Sequence, residues 1–567
     1  MKEEIIKFIL QNNLRLFEKS QSSLNNNSIY KTRDAKSIHS KLINQACTFF
    51  NFQNTKQIFN FFKFTDNMNE IKKRQEFFKQ QTTNNNFFKL LTKPKPIWKP
   101  KYDVTVATED EKCLIELQKL NCPVIFINSE SDVRELEKYD LIQAIECENF
   151  SFLIEKLPNA VFIENMEDVY LERFLTLLSA WKNNLEILKQ QDLGSLNTSI
   201  SNLSGLFFLI SENAGKILSR ENIDNTLEKI NQNLFAEIKK ITISGESLLS
   251  LISQGIPKEL QEIMDNEIAK THIPSYLLTH SIPLKVDEKE IETYLKLQSS
   301  NEFANSLSII KKNAGKIKQI PEKLKILESN LLLYDFVSGL NKLTSGDFPE
   351  YSEELIIENS KNLFLENPQP ISFNLNNKYK CSILTGANSG GKTTLLEHII
   401  QIISLFQLGL PAQGKVKLPL FSEVYYFAKN KGSMSKGAFE TLLSQLSTIK
   451  PGNKTLILAD EIESVTEPGV AGSIITATCD YFIKKNCFLI IATHLGQEIQ
   501  PKLPDFSRID GIEAKGLDKN FELIVDHNPV LGRLAHSTPE LIVERLANSK
   551  KHDYFIYLWE KLKKQSL

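Results

Sequence analysis

The segment "CSILTGANSGGKTTLLEHII", which begins at Cys381, constrains this chain of 567 residues more than any other feature. It has the pattern of a buried strand, a glycine-rich turn and an apolar helix. Residues Gly386 to Thr393 fit the phosphate-loop pattern GxxxxGK[ST], and the flanking strand and helix are the context that this pattern requires. Glycines let backbone N–H groups turn toward phosphates at the positive end of a helix. The segment therefore predicts a nucleotide site in an α/β domain.

The residue types in this loop predict both ATP and Mg²⁺ as cofactors. Lys392 supplies a positive charge for the β- and γ-phosphate oxygens, and the Thr393 hydroxyl is a ligand for Mg²⁺. The full set of residues expected to bind the nucleotide here is Gly386, Ala387, Asn388, Ser389, Gly390, Gly391, Lys392, Thr393 and Thr394.

Two later apolar runs end in residues that suit phosphoryl chemistry. "KTLILADEIES" is a predicted strand that ends in Asp460 and Glu461, and "CFLIIATHLGQEI" is another that ends in Thr493 and His494. Asp460 is expected to join Thr393 in holding Mg²⁺, while Glu461 orients or deprotonates the attacking water. His494 lies where a side chain could sense the γ-phosphate, because ligands bind at the carboxyl ends of strands in such sheets. Together the three strand ends predict an ATPase.

The charge is distributed unevenly along the chain. Residues 1–101 hold 19 Lys and Arg against 7 Asp and Glu, a net charge of +12, whereas the remaining residues carry a net charge of −13. A basic region on an acidic body favours a polyanionic partner such as nucleic acid, although solvated lysines of a biased composition would give the same count. The phenylalanines interleaved with these lysines are more typical of a helix core than of base stacking.

Composition excludes several other classes of protein. No run of 18 apolar residues exists, so no membrane-spanning helix is expected. The first residues, "MKEEIIKFILQNNLRLF", lack the pattern of a secretory signal. The seven cysteines are scattered without a CxxC pair, which argues against a disulfide framework or a zinc site. We therefore expect a cytoplasmic protein without a membrane partner.

The patterns predict a multidomain α and α/β fold with six regions. A helical core and lever region precedes a C-terminal ABC-type P-loop ATPase domain, with a small inserted βα domain. The regions are a basic helical region at 1–92, a proline-rich linker at 93–102, the small βα sheet domain at 103–165, a helical lever or clamp region at 166–345, the P-loop ATPase domain at 346–530 and a C-terminal helical dimerisation region at 531–567.

The chain resembles the MutS family of DNA-repair ATPases. The loop "TGANSGGKTT" is similar to the family's TGPNxGGKST, and "LILADEI", the "ATH" strand and the closing "GRLAHSTPELIVERLA" also fit. In "LFLENPQPISF", Phe364 and Leu365 match the positions at which the family holds adenine. The helical stretch "DNMNEIKKRQEFFKQ" resembles the start of the family's core. This resemblance implies a homodimer in which each ATP site is completed by a loop from the partner.

The sequence also departs from the family pattern at three places. The Gly-rich turn after the Walker B acids is replaced by Glu463-Ser464-Val465-Thr466, and the loop that acts in trans reads Gly437-Ala438-Phe439 after Ser433, Ser435 and Lys436. The Phe-x-Glu motif that reads mismatches has no counterpart near the start, and the match Phe235-Ala236-Glu237 lies within a helical stretch of the middle region. We therefore identify the chain with a short MutS-related branch that lacks the N-terminal mismatch-recognition domain.

The resemblance implies an ATP-dependent clamp on DNA that acts in repair or recombination. Branched, damaged or mismatched double-stranded DNA is the expected ligand, with branched or recombination-type structures favoured over a simple mismatch. The alternative is a ribosome- or RNA-associated ATPase, since one short MutS branch is associated with ribosomes. The basic region at 1–101 serves either partner, because it contacts phosphates.

Overall fold

The structure, a computed structural model, divides into two compact units. The middle unit is Leu90–Leu327, and the flanking unit combines Met1–Lys89 with Glu328–Leu567. The residues described are 1–20, 23–24, 29–80, 86–95, 104–119, 123–139, 141–164, 166–194, 196–212, 220–240, 256, 258–271, 273–279, 281–386, 391–429, 436–461, 468–517, 523–535, 539–550 and 552–565. The six predicted region boundaries stay a prediction, and 96–102 of the predicted linker lie outside these described residues.

A parallel four-stranded sheet forms the first part of the middle unit. Its strands are β1 (Val104–Thr108), β2 (Val124–Phe126), β3 (Leu141–Ala144) and β4 (Ala160–Phe162), in the order β2-β1-β3-β4. The helices between them are Glu111–Lys119, Glu130–Glu135 and Ser151–Ile154. Both faces are covered, because Val106 packs with Leu117 in one apolar cluster and Ala107 packs with Leu136 in another. Continuous apolar strands with helices on both faces are what a parallel sheet requires.

Helices make up most of the rest of the middle unit. They are Glu167–Ala180, Lys182–Lys189, Leu196–Ser204, Phe207–Glu212, Arg220–Ile238, Lys258–Ala269, Glu288–Lys312 and Ala314–Ile317, with a short antiparallel hairpin of β5 (Leu278–Thr279) and β6 (Lys285–Val286). Ile230, Leu234 and Met264 belong to one buried cluster that joins these helices to the hairpin. Phe235, from the Phe-x-Glu match at 235–237, lies on a helix with its side chain half exposed.

The flanking unit is built on a six-stranded, mostly parallel sheet. The strands of this unit are β7 (Glu350–Tyr351), β8 (Leu355–Ser360), β9 (Ile371–Leu375), β10 (Cys381–Gly386), β11 (Lys415–Leu418), β12 (Glu423–Phe427), β13 (Thr455–Asp460), β14 (Phe488–Ala492), β15 (Ser507–Leu517) and β16 (Leu523–Val530). The large sheet has the order β12-β13-β14-β10-β15-β16, and only its last pair is antiparallel. A smaller sheet has the order β7-β11-β8-β9.

The helix after β10 is buried over almost its whole length. It runs from Lys392 to Leu408, ends at the left-handed Gly409, and is buried on nearly every side. Glycine at this position ends a helix without steric cost. The other helices of the flanking unit are Lys2–Gln11, Arg33–Thr48, Met68–Lys79, Lys436–Ser447, Pro468–Lys484, Gly496–Ile499, Pro539–Lys550 and Asp553–Gln565, together with most of Ile320–Leu343.

The N-terminal phenylalanines belong to the core of the flanking unit. Phe59 and Phe62 are buried, and each ring centroid lies 5.2 Å from that of Phe336. The neighbouring Asp335 carboxylate is also buried and accepts hydrogen bonds from the Phe52 amide and the Thr55 hydroxyl. The prediction that these aromatic residues form a helix core, not a base-stacking surface, is confirmed for these rings.

The fold class agrees with the sequence in its coarse form. Helices and parallel sheets occur together in more than one compact unit, as predicted for a multidomain α and α/β chain. No helix among the described residues is long and apolar enough to cross a membrane.

Candidate nucleotide site

Three adjacent parallel strands of the large sheet end at the same edge. Asp460 at the end of β13 lies opposite Ala492 of β14, and Leu384 of β10 lies opposite the same alanine. The residues that follow these strands, among them Glu461 and His494, therefore emerge side by side with the phosphate loop. The carboxyl edge of such a sheet is where α/β proteins bind ligands.

Two glycines let the chain turn closely around this edge. Gly386 has a φ of 135°, and a Cβ there would lie 2.3 Å from the carbonyl oxygen of Ile512. Gly391 has a φ of 94°, and its Cβ would lie 2.9 Å from Nδ1 of His527. Only glycine fits both the backbone conformation and the space. The predicted loop residues between them, Ala387, Asn388, Ser389 and Gly390, lie outside the described residues.

Lys392 starts the buried helix with its ammonium group turned back toward the loop. Its side chain is 3% exposed, and Nζ donates a 2.7 Å hydrogen bond to the carbonyl oxygen of Gly386. The same nitrogen lies 3.7 Å from Oε1 of Glu461. A cation at a helix N-terminus adds to the positive field of the helix dipole, which favours an anion at this position.

Thr393 and Asp460 form a pair that fits a magnesium ion. The Thr393 hydroxyl donates a 2.6 Å hydrogen bond to Oδ2 of Asp460. The other oxygen, Oδ1, is buried and has no hydrogen-bond partner among the described residues. Burial raises the pKa of Asp460 above its usual value, an effect larger than the lowering by the Thr393 hydrogen bond. A buried carboxylate oxygen without a partner beside a hydroxyl suits a hard cation that prefers oxygen ligands.

Glu461 lies in a strained backbone conformation next to three basic side chains. Its φ of 46° is in the left-handed region, which costs energy for a residue with a Cβ and is typical of functional positions. Oε1 is 2.7 Å from Nε2 of His494, and Oε2 accepts a hydrogen bond from Nζ of Lys429. Burial raises the pKa of Glu461, but Lys429, His494 and Lys392 outweigh it and hold that pKa below its ordinary value. The carboxylate is thus ionised, and both of its oxygens are bonded to basic side chains.

A cavity of about 410 Å³ lies beside the start of the buried helix. Its lining includes Asn362, Leu365, Gln369, Ile371, Gly391, Lys392, Thr393, Thr394, Leu395, His398 and His527. The mixture of a few polar groups with aliphatic side chains is typical of a small-molecule site. The predicted Leu365 and Thr394 line this cavity, which lies next to the phosphate loop.

Comparison with known proteins identifies the family. No protein-family model matches the chain. A DNA-binding protein MutS2 from Pyrococcus furiosus is 31% identical, over 94% of this chain and 99% of the relative. The chain belongs to the MutS family. The predicted resemblance to a short MutS branch is therefore confirmed.

More distant relatives carry other names. An Endonuclease MutS2 from Borreliella burgdorferi is 25% identical over 60% of this chain, which spans 47% of that relative. A DNA mismatch repair protein MutS from Thermotoga petrophila is 28% identical over 36% of this chain and 26% of the relative. MutS-family proteins are ATPases that use ATP with Mg²⁺.

Phe364 is placed differently from Leu365 in this MutS-family chain. It is not among the side chains that line the cavity, and its ring lies under the ammonium group of Lys41, 4.2 Å from the centroid. The backbone next to it is held by Gln45, whose amide donates a 2.9 Å hydrogen bond to the carbonyl oxygen of Leu363. The role of Phe364 in holding adenine stays a prediction.

The structure adds residues that the sequence reasoning missed. Asn362, His398 and His527 line the cavity, and Lys429 contacts Glu461. None of them is a residue of a recognisable motif. Other predicted features lie outside the described residues: Ser433 and Ser435 of the loop that acts in trans, the side chains of Lys436 to Phe439, and the turn from Glu463 to Thr466.

Proposed function

We propose that this chain binds and hydrolyses ATP and uses the nucleotide to change its hold on DNA in repair or recombination. The observation that carries this proposal is the meeting of three strand ends at one edge, where the Thr393–Asp460 pair lies close to the Glu461–His494 pair. The membership of a family of ATPases supports the same conclusion.

The side chains of the site have separate tasks in this proposal. Lys392 and the loop backbone bind the phosphates, and Thr393 and Asp460 hold Mg²⁺, which supplies a charge that neutralises the phosphate oxygens. Glu461 orients the attacking water and accepts its proton, because its carboxylate is ionised and partly shielded from solvent. His494 fixes the Glu461 carboxylate through the 2.7 Å contact. Leu365 and its neighbours in the cavity hold the base.

DNA is the proposed macromolecular partner. The relatives named DNA-binding protein MutS2 and DNA mismatch repair protein MutS support this choice, as does the net charge of +12 in residues 1–101. A clamp made by two copies of the chain is part of the proposal. Ile542, Tyr554 and Tyr557 on the C-terminal helices are large apolar or aromatic side chains with substantial exposure, which suits a dimer contact.

Competition gel shifts, combined with an ATPase assay, test the function. Labelled four-way junction DNA is bound to the purified chain and challenged with unlabelled competitors. Unlabelled junction should displace it more effectively than homoduplex, mismatched duplex or structured RNA. Lys392→Ala should abolish the effect of ATP on DNA binding, since the variant loses the cation that binds the phosphates. Preference for RNA would favour the ribosomal alternative, and strong preference for a mismatch would contradict the expected preference for branched DNA.

A further inference from the structure

Lys429 lies beside the catalytic carboxylate because of the register of two strands. β12 and β13 run in parallel, with Phe427 opposite Ala459, so the chain leaves β12 next to the residues that follow β13. Lys429 is two residues beyond β12 and reaches across to Oε2 of Glu461. The lysine side chain is 46% exposed, whereas that of Glu461 is 10% exposed.

Side chains of the protein occupy both oxygens of the Glu461 carboxylate. Oε1 contacts Nε2 of His494 at 2.7 Å and lies 3.7 Å from Nζ of Lys392, while Oε2 accepts the hydrogen bond from Lys429. A carboxylate that orients water needs an oxygen available to that water. Of the two groups that bond Glu461 directly, Lys429 is the one whose long, flexible stem allows it to leave without a change of backbone.

The backbone next to Lys429 is fixed by the N-terminal part of the flanking unit. The Tyr426 amide donates a 3.0 Å hydrogen bond to the Thr32 hydroxyl, and the Ala428 amide donates a 3.1 Å hydrogen bond to Oδ2 of Asp34. These two bonds hold the chain up to the residue before Lys429. The part free to rearrange is therefore the lysine side chain, which begins one residue beyond the bonded amide of Ala428.

The neighbouring charges indicate where the ammonium group would go. Lys392 and Lys429 both lie against the Glu461 carboxylate, so a phosphate group bound by Lys392 would be only a few ångströms from Lys429. A γ-phosphate carries more charge than a carboxylate and offers more acceptor oxygens, and it is therefore the stronger partner for an ammonium group. ADP lacks this group and would leave Lys429 on Glu461.

We propose that Lys429 is a positioning residue that holds Glu461 through Oε2 and transfers its hydrogen bond to the γ-phosphate of bound ATP, which frees the carboxylate for water. This inference rests on the proposed ATPase function and adds to it a means of telling ATP from ADP. An ordinary ion pair at the surface would hold the same two side chains together but would have no preference between the two nucleotides.

Nucleotide binding to three variants tests the proposal. Lys429→Met removes the charge and keeps the length, Lys429→Arg restores the charge, and Lys417→Met removes a lysine that pairs with Glu350 elsewhere in the flanking unit. For Lys429→Met we expect the Kd of a non-hydrolysable ATP analogue to rise about tenfold, the value of one charge-assisted hydrogen bond, with the Kd of ADP unchanged. KM for ATP should rise with it, while kcat stays within about threefold.

The controls separate this inference from the proposed function. Lys429→Arg should recover most of the affinity for the analogue, and Lys417→Met should match the wild type. Equal changes for ADP and the analogue, or no change for either, would overturn the role of Lys429 and leave the ATPase function standing. Failure of the wild-type chain to bind either nucleotide would overturn both.

Discussion

The chain contains two parallel sheets, and the carboxylates at the ends of their strands differ in their hydrogen-bond partners. In the middle unit, the Glu109 carboxylate after β1 accepts hydrogen bonds from the backbone amides of Asn149 and Phe150, at 3.0 and 2.9 Å. Asp110 accepts from the amides of Lys112 and Cys113, at 3.3 and 3.1 Å. Asp110 caps the helix that follows it, and Glu109 bonds the amides of a turn, so the fold itself satisfies both acids.

The acids of the large sheet in the flanking unit are bonded to side chains. Oδ1 of Asp460 is buried and has no hydrogen-bond partner among the described residues, and Glu461 is held by side chains that come from two different connections. Leaving a buried oxygen unpaired costs stability unless a ligand completes it. The comparison shows that a parallel sheet alone does not make a site. Strand ends become a candidate site where the local backbone does not satisfy their polar groups.

The largest effect expected from this contrast is on ATP turnover. Glu461→Gln should slow hydrolysis by roughly 100-fold or more while ATP still binds, because the amide cannot accept the proton of the attacking water. Glu109→Gln is the matched control, since it makes the same change after a strand of the other sheet. Turnover of that variant should equal the wild-type value in a phosphate-release assay.

Two results would contradict this difference between the two sheets. If Glu461→Gln hydrolysed ATP at the wild-type rate, Glu461 would lose its assigned role. If Glu109→Gln slowed turnover as much as Glu461→Gln, the two sheets would not differ in the way their hydrogen bonds indicate.

The sequence was sufficient to predict the parts of the site that have a local pattern. The strand, glycine turn and helix around Lys392 lie next to each other in the chain, and the strands before Asp460 and His494 have short, continuous apolar runs. The roles given to these residues stay predictions, and the structure supplies their geometry. Local patterns could not reveal Lys429 or His527, because each meets the site only through strand pairing: β12 with β13 for Lys429, and β16 with β15, which itself pairs with β10, for His527.

The same limit applies to charged residues in the basic region. The run Lys72-Lys73-Arg74 suggests a single patch for phosphate binding. In the structure both lysines are exposed, whereas Arg74 is 3% exposed, bonds Glu70 and the carbonyl oxygen of Lys63, and packs on the ring of Phe62. Helical periodicity places the third residue of the run on the buried face, so Arg74 belongs to the core.

A smaller effect is therefore expected from the two exposed lysines. Replacing Lys72 and Lys73 with Ala should weaken DNA binding on the order of tenfold at low salt and flatten the salt dependence, because each phosphate contact contributes about 0.9 to the slope of log K against log salt. Fluorescence anisotropy at several salt concentrations measures both quantities. The control pair is Lys311 and Lys312, which are exposed in the acidic remainder of the chain. Replacing them with Ala should change neither the DNA affinity nor its salt dependence. Equal losses for the two pairs would show that the basic region has no special role.

The smallest effect is expected at the acid that only caps a helix. Asp110→Ala removes the acceptor for the first amides of helix Glu111–Lys119 and should destabilise that helix by about 1 kcal/mol, whereas Asp110→Asn keeps an acceptor and should cost less. Hydrogen exchange of the helix amides would measure the loss, with ATP turnover unchanged in both variants. If Asp110→Ala reduced turnover without faster exchange, this acid would act in the reaction. Bonding of a carboxylate by backbone amides would then no longer distinguish an acid that supports the fold from one that reacts.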